Sequence, residues 1–144
     1  MTSKFNSTSG VRLISLSQFK ADSGVLSVAQ IQQHIPFKVE RTFTVISSRA
    51  DVRRGYHAHI TLNQFMICIT GEIEIVVDDC KSKNTFFLNG PNKGLIVPAG
   101  IWSEQIYKSE NAILLVLCDR TYDEVDYIRD YDDFCLFKRL NAKE

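Results

Sequence analysis

The sequence predicts an all-β domain, a sandwich or barrel of short antiparallel strands. Three observations predict it. β-branched and aromatic residues gather in strand-sized runs, clusters of turn-forming residues separate those runs, and helix signals are few. A chain of 144 residues that is 44% hydrophobic and 24% charged has the length and composition of one globular domain. A domain of this size buries roughly 68% of its unfolded surface and needs no staples.

In chain order, residues 1–10 are rich in Ser, Thr and Asn and are expected to fray, leaving a single domain at 11–144. Residues 11–16 carry a weak strand signal, and 30–34 have room for one helical turn before Pro36. Residues 42–46 are β-branched and aromatic. Runs 65–70 and 72–77 flank Gly71, which predicts a tight hairpin, and 78–84 form a polar turn. Shorter β-prone runs follow at 85–88, 95–97, 105–107 and 112–117. Residues 122–134 read as a short helix or a loop packed on the barrel.

Charge and composition exclude several classes. Lys plus Arg is 17 and Asp plus Glu is 17, so nothing draws the whole chain to nucleic acid or an anionic membrane. No apolar run approaches the ~20 residues of a membrane span. The polar first ten residues lack the apolar stretch of a secretory signal. Cys68, Cys80, Cys118 and Cys135 show no CxxC spacing, against a zinc knuckle or redox motif, and Cys68 and Cys118 read as small buried hydrophobes. The expectation is a reducing, cytoplasmic setting.

Three pieces carry chemistry. The first is Arg54-Gly55-Tyr56-His57-Ala58-His59, followed by Gln64 and Gly71. Residues i and i+2 of an extended segment share a face, so two imidazoles meet if that face is internal. The second is the run 94–103, with Pro98, Gly100, Trp102 and Ser103. The third is the run 122–131, Tyr-Asp-Glu-Val-Asp-Tyr-Ile-Arg-Asp-Tyr.

The first two pieces resemble the paired motifs of the cupin superfamily, which implies an RmlC-like jelly-roll antiparallel β-barrel. In metal-binding cupins two early histidines, an acid and a late histidine hold the ion. Here His57 and His59 match, Gln64 stands for the acid and Ser103 for the late histidine. With no anionic ligand in that set, no metal and no cofactor are expected. The resemblance narrows to the sugar nucleotide 3,4-ketoisomerases, small cupins with a WxcM-like domain, on His57-Ala58-His59 after Arg54-Gly55, on 35–41, on Pro98 to Trp102 and on Tyr122 to Arg129. Two positions depart from the family pattern: Ser23 replaces an Arg and Ser103 replaces a His. The family implies a dTDP-linked 4-keto-6-deoxyhexose substrate, a 3-keto product consumed by an aminotransferase for surface glycans such as lipopolysaccharide, and a homodimer.

Moving a carbonyl from C4 to C3 passes through an enediol and needs proton transfer, with no redox cofactor. Histidine suits it, since its ordinary pKa of about 6.5 leaves both forms available near neutrality. His57 and His59 are the expected catalytic pair, with His59 favoured as the carbon base. Arg41 and Arg54 are expected to hold phosphate or an enolate oxygen. Gln64 and Ser103 are expected to bind substrate, and Trp102 to offer the sugar or base a flat wall. The 122–131 run reads as structural, with Tyr127 and Arg129 as secondary candidates. Three rival functions are a cupin 3,5-epimerase on the same substrate class, a non-catalytic sugar-binding cupin and a metal-dependent dioxygenase.

Overall fold

The β-prone runs become strands, and most of them pair with partners far away in the chain. A computed structural model describes residues 8–142. The strands in order are β1 (Arg12–Ser15), β2 (Ser17–Ala21), β3 (Gly24–Val28), β4 (Arg41–Ile46), β5 (Val52–His59), β6 (Gln64–Thr70), β7 (Ile73–Asp78), β8 (Lys83–Leu88), β9 (Lys93–Val97), β10 (Trp102–Tyr107), β11 (Ile113–Cys118) and β12 (Tyr127–Ile128). A single 3-10 turn, Glu124–Asp126, precedes β12, and helix α1 spans Tyr131–Leu140. One antiparallel sheet runs β1-β9-β6-β11-β4 and the other β12-β5-β10-β7-β8, with β2-β3 as a separate two-stranded ribbon. The two large sheets form a jelly-roll-like sandwich of the cupin type, as the motifs predict, rather than one continuous closed ladder.

Alternation decides what each face buries. Along β6, Met66 and Cys68 join Ile73, Ile75, Leu95 and Leu114 in the main core, while Phe65 and Ile67 pack with Leu16, Ile35 and Ile96 in a second cluster. A third, smaller cluster places Ala58 and Trp102 beneath Phe134 of α1.

The expected hairpin at Gly71 is not formed. β6 pairs with β9 and β11, whereas β7 pairs with β8 and β10. Gly71 therefore turns the chain from one sheet to the other. Its φ of 85° is left-handed, and a Cβ there would lie 2.8 Å from the Ala112 backbone. Both flanking strands are buried and β-prone, so local sequence reads alike for a hairpin and a sheet-to-sheet corner.

Other segments also differ from expectation. Residues 30–34 form turns with an Ile31–Ile35 bridge and no helix, with Gln32 left-handed at φ 75°. His34 is buried there, accepting from the Gln30 N–H at Nδ1. The fray expected at 1–10 lies for residues 1–7 outside the described residues. Thr8 is buried, and the Ser9 N–H donates to Asp79. Residues 122–134 divide into turn, strand and helix. α1 starts where the Asp130 side chain accepts from the Asp133 N–H, and its last turn carries Lys138 and Arg139 against the helix dipole.

Cys68 and Cys118 are buried free thiols, as their apolar surroundings predict. Cys80 and Cys135, 55 residues apart, are joined in a disulfide that ties α1 to the β7–β8 turn. Nothing in their spacing pointed to it, and it was not part of the reducing picture.

Candidate active site

β5 carries the histidine pair, and its register determines what stands beside them. His57 and His59 share one face, and Ala58 points the other way into the cluster under α1. Arg54 lies three residues before His57 and in a regular strand would face away from it. Instead Ser103 sits opposite His57, Glu104 opposite Gly55 and Gln105 opposite Arg54, so β5 uses one more residue than β10. This bulge re-aims the strand. Cross-strand partners share a face, so Arg54 joins His57 on the inner side. Gly55 at φ 92° and Tyr56 at φ 60° make the bend.

The result is a cavity of about 510 Å³, lined among others by Arg54, His57, Gln64, Gln105, Tyr127 and Arg129. Arg53 and Tyr56 reach the same cavity, with Phe43 and Val45 as apolar wall. Arg53 and Arg54 have no acidic partner among the described residues. Arg129 is committed to Glu124 by two bonds of 3.0 Å and lies over the Tyr127 ring at 4.2 Å. That guanidinium, with the Tyr122 hydroxyl, holds the Glu124 carboxyl down at about 2.

The rings of His57 and His59 meet edge to face with centroids 5.0 Å apart, and Tyr127 stands 5.1 Å from the first and 4.4 Å from the second. Tyr127 is placed there by β12, whose backbone pairs with His59. His57 Nδ1 lies 3.1 Å from the Gly55 carbonyl, which can only accept, so Nδ1 carries the proton and Nε2 is left without a partner among the described residues. His59 sits behind, 4% exposed, with Nδ1 3.2 Å from Asp126 Oδ2 and Nε2 without a partner among the described residues.

The other expected site residues divide. Gln64 is buried and lines the cavity, and Ser103 is buried directly across from His57. Arg41 lies off the cavity wall. Its guanidinium donates to Cys118 Sγ at 3.9 Å, with Phe43 and Tyr122 on its flanks. Trp102 is not in the site. It alternates with Ser103, so it points to the outer face, where it packs on Tyr131 and Phe134 and donates to Glu104. Sequence reasoning missed Gln105 and Asp126. The i+2 relation of Gln105 to Ser103 could have found the first. Two imidazoles, an amide and a hydroxyl around the cavity do not suit a divalent ion, since none is anionic.

Burial pushes His57 below its ordinary value of 6.5. Burial, then the neighbouring His57, push His59 down to about 4, with Asp126 opposing. Both rings are neutral at pH 7 and poised to accept protons, so turnover should persist below pH 6.5 and fall as pH nears the folded values. The unfolded chain protonates His59 near 6.5 and the folded protein only near 4. Stability is therefore full above 6.5 and lost as pH falls toward 4, by roughly 3 kcal/mol from this residue. Calorimetry should show Tm falling across that window, and His59→Asn should remove part of the slope.

Comparison with known proteins agrees with this geometry. Residues 9–139 match the family described as FdtA: WxcM-like, C-terminal. The TDP-4-oxo-6-deoxy-alpha-D-glucose-3,4-oxoisomerase of Aneurinibacillus thermoaerophilus is 31% identical over 123 residues, covering 85% of this chain and 88% of the relative. A variant of the 3,4-ketoisomerase QdtA from Thermoanaerobacterium thermosaccharolyticum, in complex with TDP-4-keto-6-deoxyglucose, superposes with a TM-score of 0.89 at 30% identity, covering 96% of this chain and all of that one. A 3,4-ketoisomerase from Helicobacter canadensis gives 0.86 at 33% identity, over 90% of this chain and 98% of its own. Two sugar epimerases, at 16% and 21% identity with TM-scores of 0.75 and 0.74, share the fold alone.

Proposed function

The chain belongs to the FdtA, WxcM-like family, and from that premise we propose that it is a TDP-sugar 3,4-ketoisomerase. It converts TDP-4-keto-6-deoxyglucose to the 3-keto isomer. The observation that carries this reading is the neutral His57 imidazole lining a cavity, with the His59 ring edge to face behind it and with Arg53 and Arg54, which have no acidic partner among the described residues.

The steps balance without a co-reactant. A ring nitrogen takes the C3 proton, the electron pair moves through C3–C4 to the carbonyl oxygen, and that oxygen takes a proton, giving an enediol. The carbon proton is then returned to C4, the O3 hydroxyl proton replaces the one taken by O4, and the carbonyl stands at C3. Arg54 and Arg53 suit the pyrophosphate, since planar guanidinium groups pair with phosphate oxygens. Gln64, Gln105 and Ser103 offer polar contacts to the hexose. His57, which faces the cavity, is placed to touch substrate, and Tyr127 closes the wall beside it.

The test is incubation with TDP-4-keto-6-deoxyglucose in deuterium oxide, with an aminotransferase added to trap the 3-ketone. Trapped 3-amino sugar is the result expected. Exchange at C5 with the carbonyl left at C4 would mark a 3,5-epimerase instead, and binding without conversion a sugar-binding cupin.

Three finer points belong to this proposal. An aminotransferase is the fitting consumer of the product, toward 3-amino sugars of surface glycans. The proposed setting is cytoplasmic. The assembly is a homodimer. The β2-β3 ribbon leaves Phe19 and Leu26 directly opposite one another, each 62% exposed, with Val25 beside them. An isolated two-stranded ribbon gains little by itself, and an apolar pair on its face suits a second copy. Light scattering at micromolar concentration should return twice the chain mass, and Phe19→Lys with Leu26→Lys should return the monomer.

A further inference from the structure

Asp126 gathers more donors than any cap or surface role requires. Its Oδ1 accepts from the Thr61 N–H at 2.8 Å and the Thr61 hydroxyl at 2.6 Å. Its Oδ2 accepts from the Leu62 N–H and faces His59 Nδ1, both at 3.2 Å. A carboxylate receiving these donors is ionised and can only accept. The Thr61 and Leu62 bonds hold its acid strength up despite burial, so it keeps its charge at neutral pH.

That settles which ring nitrogen of His59 bears hydrogen. Nδ1 must donate to Oδ2, and Nε2 therefore carries the lone pair. Nε2 is buried, without a partner among the described residues, and enclosed by the rings of His57 and Tyr127. A buried acceptor left unpaired is destabilising, and a native structure that keeps one invites a reason. Asp126 reaches His59 from 67 residues away, through the turn Glu124–Asp126 that leads directly into β12 and Tyr127.

We propose that Asp126 is a positioning residue for the isomerisation: it locks His59 as the Nδ1–H tautomer and keeps Nε2 as a proton acceptor behind His57. This rests on the ketoisomerase reading. In Asp126→Asn the amide oxygen keeps the two Thr61 donors, and the NH2 takes the place of Oδ2, at the cost of the Leu62 N–H bond. That NH2 donates to His59 Nδ1, so the ring proton moves to Nε2 and the acceptor is lost.

Nitrogen NMR of ring-labelled histidine, on the full protein without substrate, should show His59 protonated at Nδ1 in the wild type and at Nε2 in Asp126→Asn. The variant's kcat should fall ~10²–10⁴-fold, with KM within about twofold of wild type. A wild-type His59 protonated at Nε2 overturns the proposal even if the variant fails to fold. So does a folded variant with inverted tautomer and unchanged kcat. If the wild-type tautomer is as stated but TDP-4-keto-6-deoxyglucose is not isomerised, the ketoisomerase reading falls instead. The NMR result, which needs no substrate, tells the two failures apart.

Discussion

Replacing His57 or His59 by asparagine should lower kcat by about 10²–10⁴-fold each, the usual size of one acid–base group. The two losses should not look alike. His57 faces the cavity, so His57→Asn should also raise KM. His59 is enclosed behind it, so His59→Asn should leave KM near the wild-type value. Groups that act as a unit are non-additive, so the double variant should be little worse than either single one. Steady-state kinetics with the trapping aminotransferase in excess checks all three. Wild-type turnover in the double variant would remove the imidazoles from the chemistry.

The second large effect is expected at a residue with no side chain. Gly55 sits at φ 92°, and a Cβ there would lie 2.9 Å from the Ser103 carbonyl and 3.3 Å from the Glu104 Cα. Both are backbone atoms of the neighbouring strand, so neither can swing aside. Gly55→Ala should therefore reshape the bulge, separating Arg54 from His57 and disturbing the Gly55 carbonyl that accepts from His57 Nδ1. We expect kcat/KM to fall by about 100-fold or more, and stability to fall by about 1–3 kcal/mol from strain. Thermal melts beside kinetics separate the two. Full activity with an unchanged Tm would mean that the bulge does not organise the site.

The bulge also marks the limit of what the sequence makes legible. The shared face of His57 and His59 follows from the two-residue period of any strand, and it holds in the structure. The same counting puts Arg54 on the wrong face, because an inserted residue leaves no trace in composition. Trp102 illustrates the reverse error. Its place in the motif suggested a substrate wall, but alternation with the inward Ser103 sends it out under α1. Gly71 was legible as a glycine that turns the chain. Which sheet each flanking strand then joins depends on β9, β10 and β11, whose pairings are non-local. Asp126 and the Cys80–Cys135 bond lay beyond local reading for the same reason, since each joins segments more than fifty residues apart. The fold class needed only strand-sized runs and the two cupin motifs, and it was fully legible.

The strand order described above bears on how the enzyme is made. Among the described residues only β2-β3 and β7-β8 join neighbours in the chain, and every other ladder waits for a distant partner. Topologies dominated by such pairings fold slowly, in about milliseconds to seconds. A ribosome that has released both imidazoles has not yet made their partners, because β10, Asp126 and Tyr127 come later. No competent enzyme exists on a nascent chain, and until its C-terminal third emerges β5 remains an unpaired strand for which chaperones and neighbouring chains compete.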